Sequence, residues 1–267
     1  MYWVNGELQH TTSLSDRSFQ YGDGCFTTML TVDGVIEHFP LHKKRVDACL
    51  SALSIQSIDW SLVTSWLEEA VVKQGKAGVK LHVSRGEGGR GYSPKSVSSP
   101  NVTISVFTYP EHYHQITRDG IELGLCQKRL GLSPLLAGHK HNNRLEQIIL
   151  KSELDSQGLL DGVALDIEGS IVETTMANLF WVIDGELFTP DLSLSGVSGV
   201  MRKAVLGYAS ENKLTVNVGR YPLEHLENAD EAFICNSILG IAPVIKLRQQ
   251  KFEIGTITKS LQGTLNS

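Results

Sequence analysis

The order of apolar and polar positions near the N-terminus reads as paired strands. "MYWV" and "ELQ" flank Asn5-Gly6, and "CFTTMLTV" and "VIEHF" flank Asp33-Gly34. Both dipeptides are strong two-residue turn signals, so two β-hairpins are expected. The period then changes. In "PLHKKRVDACLSAL", Leu41, Val46, Cys49, Leu50 and Leu53 recur near helical spacing behind Pro40, a residue suited to a first turn. "DWSLVTSWLEEAVVKQG" predicts a second amphipathic helix ended by Gly75. Strands over 78–85 and 101–108 complete an α+β N-terminal lobe, residues 1–109.

"YPEHYHQITRDG" is polar and bracketed by Pro and Gly, so 110–120 is expected as a linker. Beyond it, 121–267 reads as an α/β lobe. A strand near 121–127 precedes "AGHKHNNRLEQIILKSELDSQG", where Leu145, Ile148 and Ile149 form a helical apolar stripe. Asn142 or Asn143 is a plausible cap there, and Glu146 lies in the first turn. Strands "GVALDI" and "NLFWVI" follow. "SGVSGVMRKAVLGYASEN" passes from a Ser/Gly-rich loop into a helix, and strands "EAFICNS" and "GIAPVIK" precede a short terminal helix. Two α/β lobes with a cleft between them is the economical architecture.

Composition narrows the class of function. The chain is 41% hydrophobic and 20% charged, as soluble globular proteins are, and its net charge of −5 disfavours nucleic acid or anionic membrane as a partner. No apolar run reaches the length of a membrane span and the N-terminus lacks signal-peptide character, so a cytoplasmic location is expected. Cys25, Cys49, Cys126 and Cys235 are far apart and form no C-x-x-C pair, which reads as buried, reduced thiols and no metal site. His112 and His114 have no third ligand near in sequence.

"RGEGGRGY" carries Gly86, Gly88 and Gly91 at the spacing of a dinucleotide fingerprint and follows the strand-like "VKLHVS". That motif works only where its last glycine opens a helix. Here "SPKSVSSPN" follows, which forms none, and the acidic residue expected about 20 positions on is missing. The glycines instead set Arg85, Arg90 and Tyr92 in a backbone able to bend close to a ligand.

Three other features bear chemistry. Lys140 sits between two histidines, just outside the helix expected after it. The positive end of that helix, with desolvation, would favour the neutral amine that Schiff-base chemistry needs; an ordinary solvated lysine fits the spacing equally. "SGVSGVMRK" does open a helix, which makes it a phosphate cradle. A phosphate site with a perturbed lysine suggests pyridoxal phosphate. Glu173, between apolar strands, is then a partner for the pyridinium nitrogen or, alternatively, an exposed turn residue.

Seven segments appear in order: "SFQYGDGCFTT", "HKKR", "RGEGGRGY", "LAGHKHNNRLEQ", "ETTMANLFW", "GVSGVMR" and "DEAFICNSILGIAPV". Together, over about 2–245, they resemble the fold-type IV pyridoxal-phosphate enzymes, a group that contains D-amino acid and branched-chain aminotransferases and 4-amino-4-deoxychorismate lyase. The resemblance implies the two-lobed D-amino acid aminotransferase-like fold, with pyridoxal 5'-phosphate between the lobes and a homodimer whose sites receive loops from the neighbour. It implies that Lys140 is the Schiff-base lysine, Glu173 the partner of the pyridine nitrogen and Arg45 a phosphate clamp. The N–H groups of Val200 and Met201 would share the phosphate, and Asn236 lies where relatives place a phosphate-contacting threonine.

Within the group, aminotransferases commonly carry Glu after the aromatic residue of "GDG-x-[FY]", whereas Phe26 is followed here by Thr27 and Thr28. "RGxGGRGY", "KHxNRLEQ" and "CNS" are similar to the aminodeoxychorismate lyases in particular. That likeness implies conversion of aminodeoxychorismate to 4-aminobenzoate and pyruvate, with Arg90 and Tyr92 on a substrate carboxylate and Phe26 and Thr28 lining the substrate site. Arg85 is either a further substrate contact or structural. The alternatives are a D-amino acid or branched-chain aminotransferase on the same scaffold, and a non-catalytic protein that binds small anions.

Overall fold

Asn5 and Gly6 turn the chain at φ 50° and 87°, and Asp33 and Gly34 do so at 49° and 84°, the left-handed pair that a two-residue hairpin requires. The hairpins they close are β1 (Tyr2–Val4) with β2 (Glu7–Leu8) and β3 (Gly24–Val32) with β4 (Val35–Ile36). The computed structural model describes residues 1–97 and 99–266. It divides into two units, Met1–Tyr109 with His139–Asn143, and Pro110–Gly138 with Arg144–Ser267.

In the first unit, α1 (Arg17–Tyr21) lies between the hairpins, and α2 (Phe39–Ala52) and α3 (Trp60–Ala70) follow the second. The helix expected to run to Gly75 stops at Ala70. Gly75, at φ 69°, instead forms the turn before β5 (Lys76–Ser84). A ribbon of β6 (Gly88–Arg90) and β7 (Ser93–Val97) leads to β8 (Asn101–Thr108). The antiparallel sheet runs β2-β1-β8-β5-β3-β4. Its core is one-sided: Cys25, Met29, Val79, Leu81 and Ile104 pack against Val46, Cys49 and Leu50 of α2 and Val63 and Leu67 of α3. Period-two alternation sends Phe26, Thr28, Lys80 and His82 to the other face, where Phe26 opposes His82 and Thr28 opposes Lys80.

The second unit begins with α4 (His112–Asp119), so the expected linker is a helix; buried Ile116 fastens it to the core. There follow β9 (Ile121–Leu125), α5 (Leu145–Ser156), β10 (Asp161–Leu165), β11 (Ile171–Thr174), β12 (Asn178–Ile183) and β13 (Glu186–Pro190). The chain continues through α6 (Val200–Glu211), β14 (Val216–Gly219), α7 (Leu223–Glu227), β15 (Glu231–Asn236), β16 (Gly240–Leu247), β17 (Gln250–Lys251) and α8 (Thr256–Leu265). The sheet order is β11-β10-β9-β16-β15-β12-β13-β14, with β17 on β16. Both faces are covered. Leu179 and Trp181 of β12 pack with Leu223 and Leu226 of α7, while Phe180 and Val182 pack with Met201 and Val205 of α6 and Leu261 of α8. A strand buried on both faces needs no polar alternation, which accounts for the unbroken "NLFWVI".

Two further expectations are corrected. Helix α5 starts at Leu145 with Arg144 at its cap and no capping side chain, and neither Asn142 nor Asn143 caps it. Its buried residues are Leu150 and Leu154, whereas Leu145, Ile148 and Ile149 are exposed at 72%, 60% and 48%.

Candidate functional site

Lys140 belongs with the first unit and not with the C-terminal lobe in which its sequence position put it. The reason is backbone pairing. Phe26 donates its N–H to the carbonyl of Lys140 at 3.0 Å, Asn142 donates to the carbonyl of Gly24 at 3.0 Å, and His141 bridges Cys25. Residues 140–142 thus extend the sheet beside the start of β3. The helix expected directly after it, α5, begins only at Leu145. The half-buried Lys140 instead holds its Nζ 4.7 Å from the centre of the Phe26 ring.

The sequence reading missed Lys80. Its Nζ lies 4.5 Å from the centre of the same ring, so two lysine amines share one aromatic. Burial pushes the Lys80 amine below the ordinary lysine range. The missed signal was the register of β3 with β5, a tertiary fact. His82, two residues on, faces Asn142 Nδ2 at 2.9 Å and Ser18 Oγ at 3.1 Å, and Asn142 Nδ2 donates to Ser18 Oγ at 2.8 Å. Desolvation, helped by the charge of Lys80, pushes His82 down to about 4. A neutral imidazole therefore steadies the segment that bears Lys140.

Arg45 is buried on α2, where its Nη2 donates to Thr27 Oγ1, which also meets His42 Nδ1 at 2.6 Å. Burial lowers Arg45 to about 10, and burial together with the charge of Arg45 holds His42 neutral. Among the described residues no carboxylate pairs with Arg45, and its Nε has no hydrogen-bond partner. A desolvated guanidinium without a counter-ion is costly, and an anionic ligand would complete it. Thr28, the next residue on β3, faces the opposite way with Phe26.

In the second unit Glu173 is 6% exposed, so it is the buried acid and not a turn residue. Its Oε2 accepts the N–H of Val197 at 2.9 Å and an N–H of Asn178 at 3.4 Å. Asn178 was missed by the sequence reading, although an amide opening the apolar "NLFWVI" was a visible anomaly. Its Nδ2 donates to the Val197 carbonyl at 2.8 Å and its Oδ1 accepts the Gly199 N–H at 3.0 Å. Glu173 and Asn178 together hold the loop that delivers α6. Gly199 caps that helix without a side-chain bond, and a Cβ there would lie 2.2 Å from Asn178 Oδ1. No side chain caps the first-turn N–H groups of Val200 and Met201. Asn236 uses its side chain on its own turn: Oδ1 accepts from Ile238 and Leu239 at 2.9 and 2.8 Å, and Nδ2 donates to the Met176 carbonyl at 3.3 Å.

Arg85 is structural. It chelates Asp23 through Nε (2.7 Å) and Nη2 (3.1 Å) and donates to the carbonyls of Ser54 and Leu53 at 2.8 Å each, at the end of α2. Arg90 and Tyr92 are exposed, Tyr92 at 89%. His112 and His114 lie on the outer side of α4, and the described residues contain no cluster of three or more side chains that could hold a metal.

The amino-transferase class IV pattern matches residues 24–247, and the chain belongs to that family. Its fold is that of fold type IV, as the seven segments implied. The chain is 51% identical to the aminodeoxychorismate lyase of Vibrio harveyi, over 100% of both chains. The crystal structure of 4-amino-4-deoxychorismate lyase from Pseudomonas aeruginosa superposes with a TM-score of 0.92 at 35% identity, covering 98% of this chain and 97% of that one. The branched-chain amino acid aminotransferase of Escherichia coli shares the fold, with a TM-score of 0.83 at 23% identity over 98% of this chain and 91% of its own.

Proposed function

We propose that this chain is a pyridoxal-phosphate-dependent lyase that converts 4-amino-4-deoxychorismate to 4-aminobenzoate and pyruvate. The observation that carries the reading is the end-to-end likeness, 51% identical, to a protein named for that reaction. The donor set fits the cofactor: a lysine beside an aromatic ring, a buried acid held by backbone, a buried guanidinium with no counter-ion among the described residues and a helix start with no side-chain cap. Lys140 would carry the cofactor covalently. Arg45 and the N–H groups of Val200 and Met201 would hold its phosphate, with Asn236 supporting them through the turn it shapes. When bound, the cofactor supplies an electron sink that stabilises a carbanion at the carbon bearing the substrate amine.

The residues' own work follows from their chemistry. Glu173, fixed through Oε2, would keep a proton on the pyridine nitrogen, and that proton makes the sink effective. Lys140 Nζ would be the base that takes the proton from C4 of the substrate and would give one to the departing enol. Loss of the enolpyruvyl group as pyruvate leaves an aromatic ring, so no keto acid is needed to close the cycle. Phe26 and Thr28 would line the substrate side. Arg90 would grip a carboxylate through its planar fork, with Tyr92 beside it.

The same reading includes a homodimer and a cytoplasmic location. The exposed stripe of Leu145, Ile148 and Ile149 supports a partner subunit. The four cysteines are free and buried, in accord with a reducing compartment, and no helix among the described residues is long and apolar enough to cross a membrane.

The test is to supply the holoenzyme with enzymatically generated aminodeoxychorismate, without any keto acid, and follow both products. Equal, catalytic release of 4-aminobenzoate and pyruvate is expected. No release, with a rapid spectral change on adding D-alanine or L-leucine, would make the chain an aminotransferase.

A further inference from the structure

The side chain of Arg17 is 4% exposed, and the loop that carries Arg90 and Tyr92 is wrapped around its guanidinium. Nε donates to Asp23 Oδ2 at 2.8 Å. Nη1 reaches the carbonyls of Gly91 (3.1 Å), Gly88 (3.4 Å) and Ser93 (3.4 Å), and Nη2 reaches that of Tyr92 (3.4 Å). The backbone N–H of Arg17 also donates to the Gly86 carbonyl at 3.0 Å. One side chain thus gathers four carbonyls of a segment whose residues 87–93 are exposed. Its ring neighbours continue the chain of contact: Arg17 lies 5.0 Å over Tyr21, whose ring meets that of Tyr92 at 5.7 Å.

The glycines of "RGEGGRGY" fit around this group. A Cβ on Gly89 would lie 2.9 Å from Arg17 Nη1 and 2.4 Å from the Ser93 carbonyl, so the position is closed to any side chain. Gly91 has comparable left-handed backbone, φ 56° against 76°, yet a Cβ there meets nothing within 4 Å. Asp23 supplies the compensating charge. Burial alone would raise its carboxyl, but the hydrogen bonds from Arg85 and Arg17 and their charges outweigh burial and hold it below the ordinary range. The carboxylate that holds Arg85 therefore also holds Arg17.

We propose that Arg17 is the positioning residue for substrate recognition: its fork, seated against Gly89, sets the conformation in which the 86–93 loop presents Arg90 and Tyr92. The proposal rests on the lyase reading for the substrate, but the clamp itself can be measured without it. Hydrogen exchange of the 86–93 amides in the holoenzyme is compared for the wild type, Arg17→Gln, Gly89→Ala and Gly91→Ala. Losing charge-assisted bonds to the loop should speed exchange about tenfold or more in Arg17→Gln and Gly89→Ala. Gly91→Ala, which carries a similar backbone strain without touching Arg17, should show a smaller change. Arg17→Lys, which keeps a cation against Asp23 but loses the fork that spans the loop carbonyls, is measured beside them, should also speed exchange, and decides the matter if Arg17→Gln fails to fold.

In steady-state assays Arg17→Gln and Gly89→Ala should raise KM for aminodeoxychorismate about tenfold, with much less change in kcat. Exchange in both variants equal to wild type, or Gly91→Ala matching Gly89→Ala, would overturn the clamp. Faster exchange with KM unmoved would overturn the positioning role. Failure of the wild type to release product would be a failure of the lyase reading, and the exchange data would still judge the clamp.

Discussion

Glu173 Oε2 accepts the N–H of Val197 at 2.9 Å, so the buried acid is also a strut of the loop that leads into α6. Charge and strut can be separated. Glu173→Gln keeps an oxygen for Val197 and removes the charge that would hold a proton on the pyridine nitrogen. The variant should fold with a melting temperature close to that of wild type, while turnover to 4-aminobenzoate falls about 10²-fold or more. Full turnover by this variant would remove Glu173 from the chemistry.

Lys140→Ala should abolish nearly all lyase turnover. Borohydride should fix pyridoxal phosphate to the wild-type chain, seen as a mass increase on the peptide containing residue 140, and leave the variant unmodified. A stable adduct on another lysine, with Lys80 the nearest alternative at the shared Phe26 ring, would reassign the role.

His82 makes stability depend on pH. Its pKa is depressed to about 4 in the fold from an ordinary 6.5, so between those values the unfolded chain binds the proton and the folded one does not. Stability is therefore fully present above about pH 6.5 and is lost progressively as pH falls toward 4, by about 3 kcal/mol at most. In thermal melts from pH 7.5 to 4, His82→Gln should flatten that part of the decline. An unchanged slope would show that other groups carry it.

The exposed Leu145, Ile148 and Ile149 stripe should be covered in an assembly of two copies. Ile148→Lys at that stripe should shift the chain from dimer toward monomer in sedimentation. A wild type that sediments as a monomer would leave the stripe to some other partner.

Much of the local structure was legible from the sequence. Asn5-Gly6 and Asp33-Gly34 declare hairpins because few other dipeptides tolerate two successive left-handed residues, and "SGVSGVMRK" declares a helix opened by glycine. The failed match of "RGEGGRGY" to a dinucleotide site was also legible, since no helix follows it. The order of the seven segments was enough to indicate the family. Other features were out of reach. Lys80 and His82 matter because β5 pairs with β3 in one register, and a shift of one residue would send both to the helix side.

The covalent chain alone therefore determined the turns, most of the strands and helices, and the family, because turn chemistry, periodicity and motif order are local properties. Tertiary structure decided the rest: that Lys140 is carried by the first sheet's edge, that Arg45 is a buried cation with no carboxylate partner among the described residues, and that Arg17 is wrapped by a glycine loop about seventy positions away. Those facts depend on which backbones pair and which charges lose water, and such long-range contacts leave no periodic mark on the sequence.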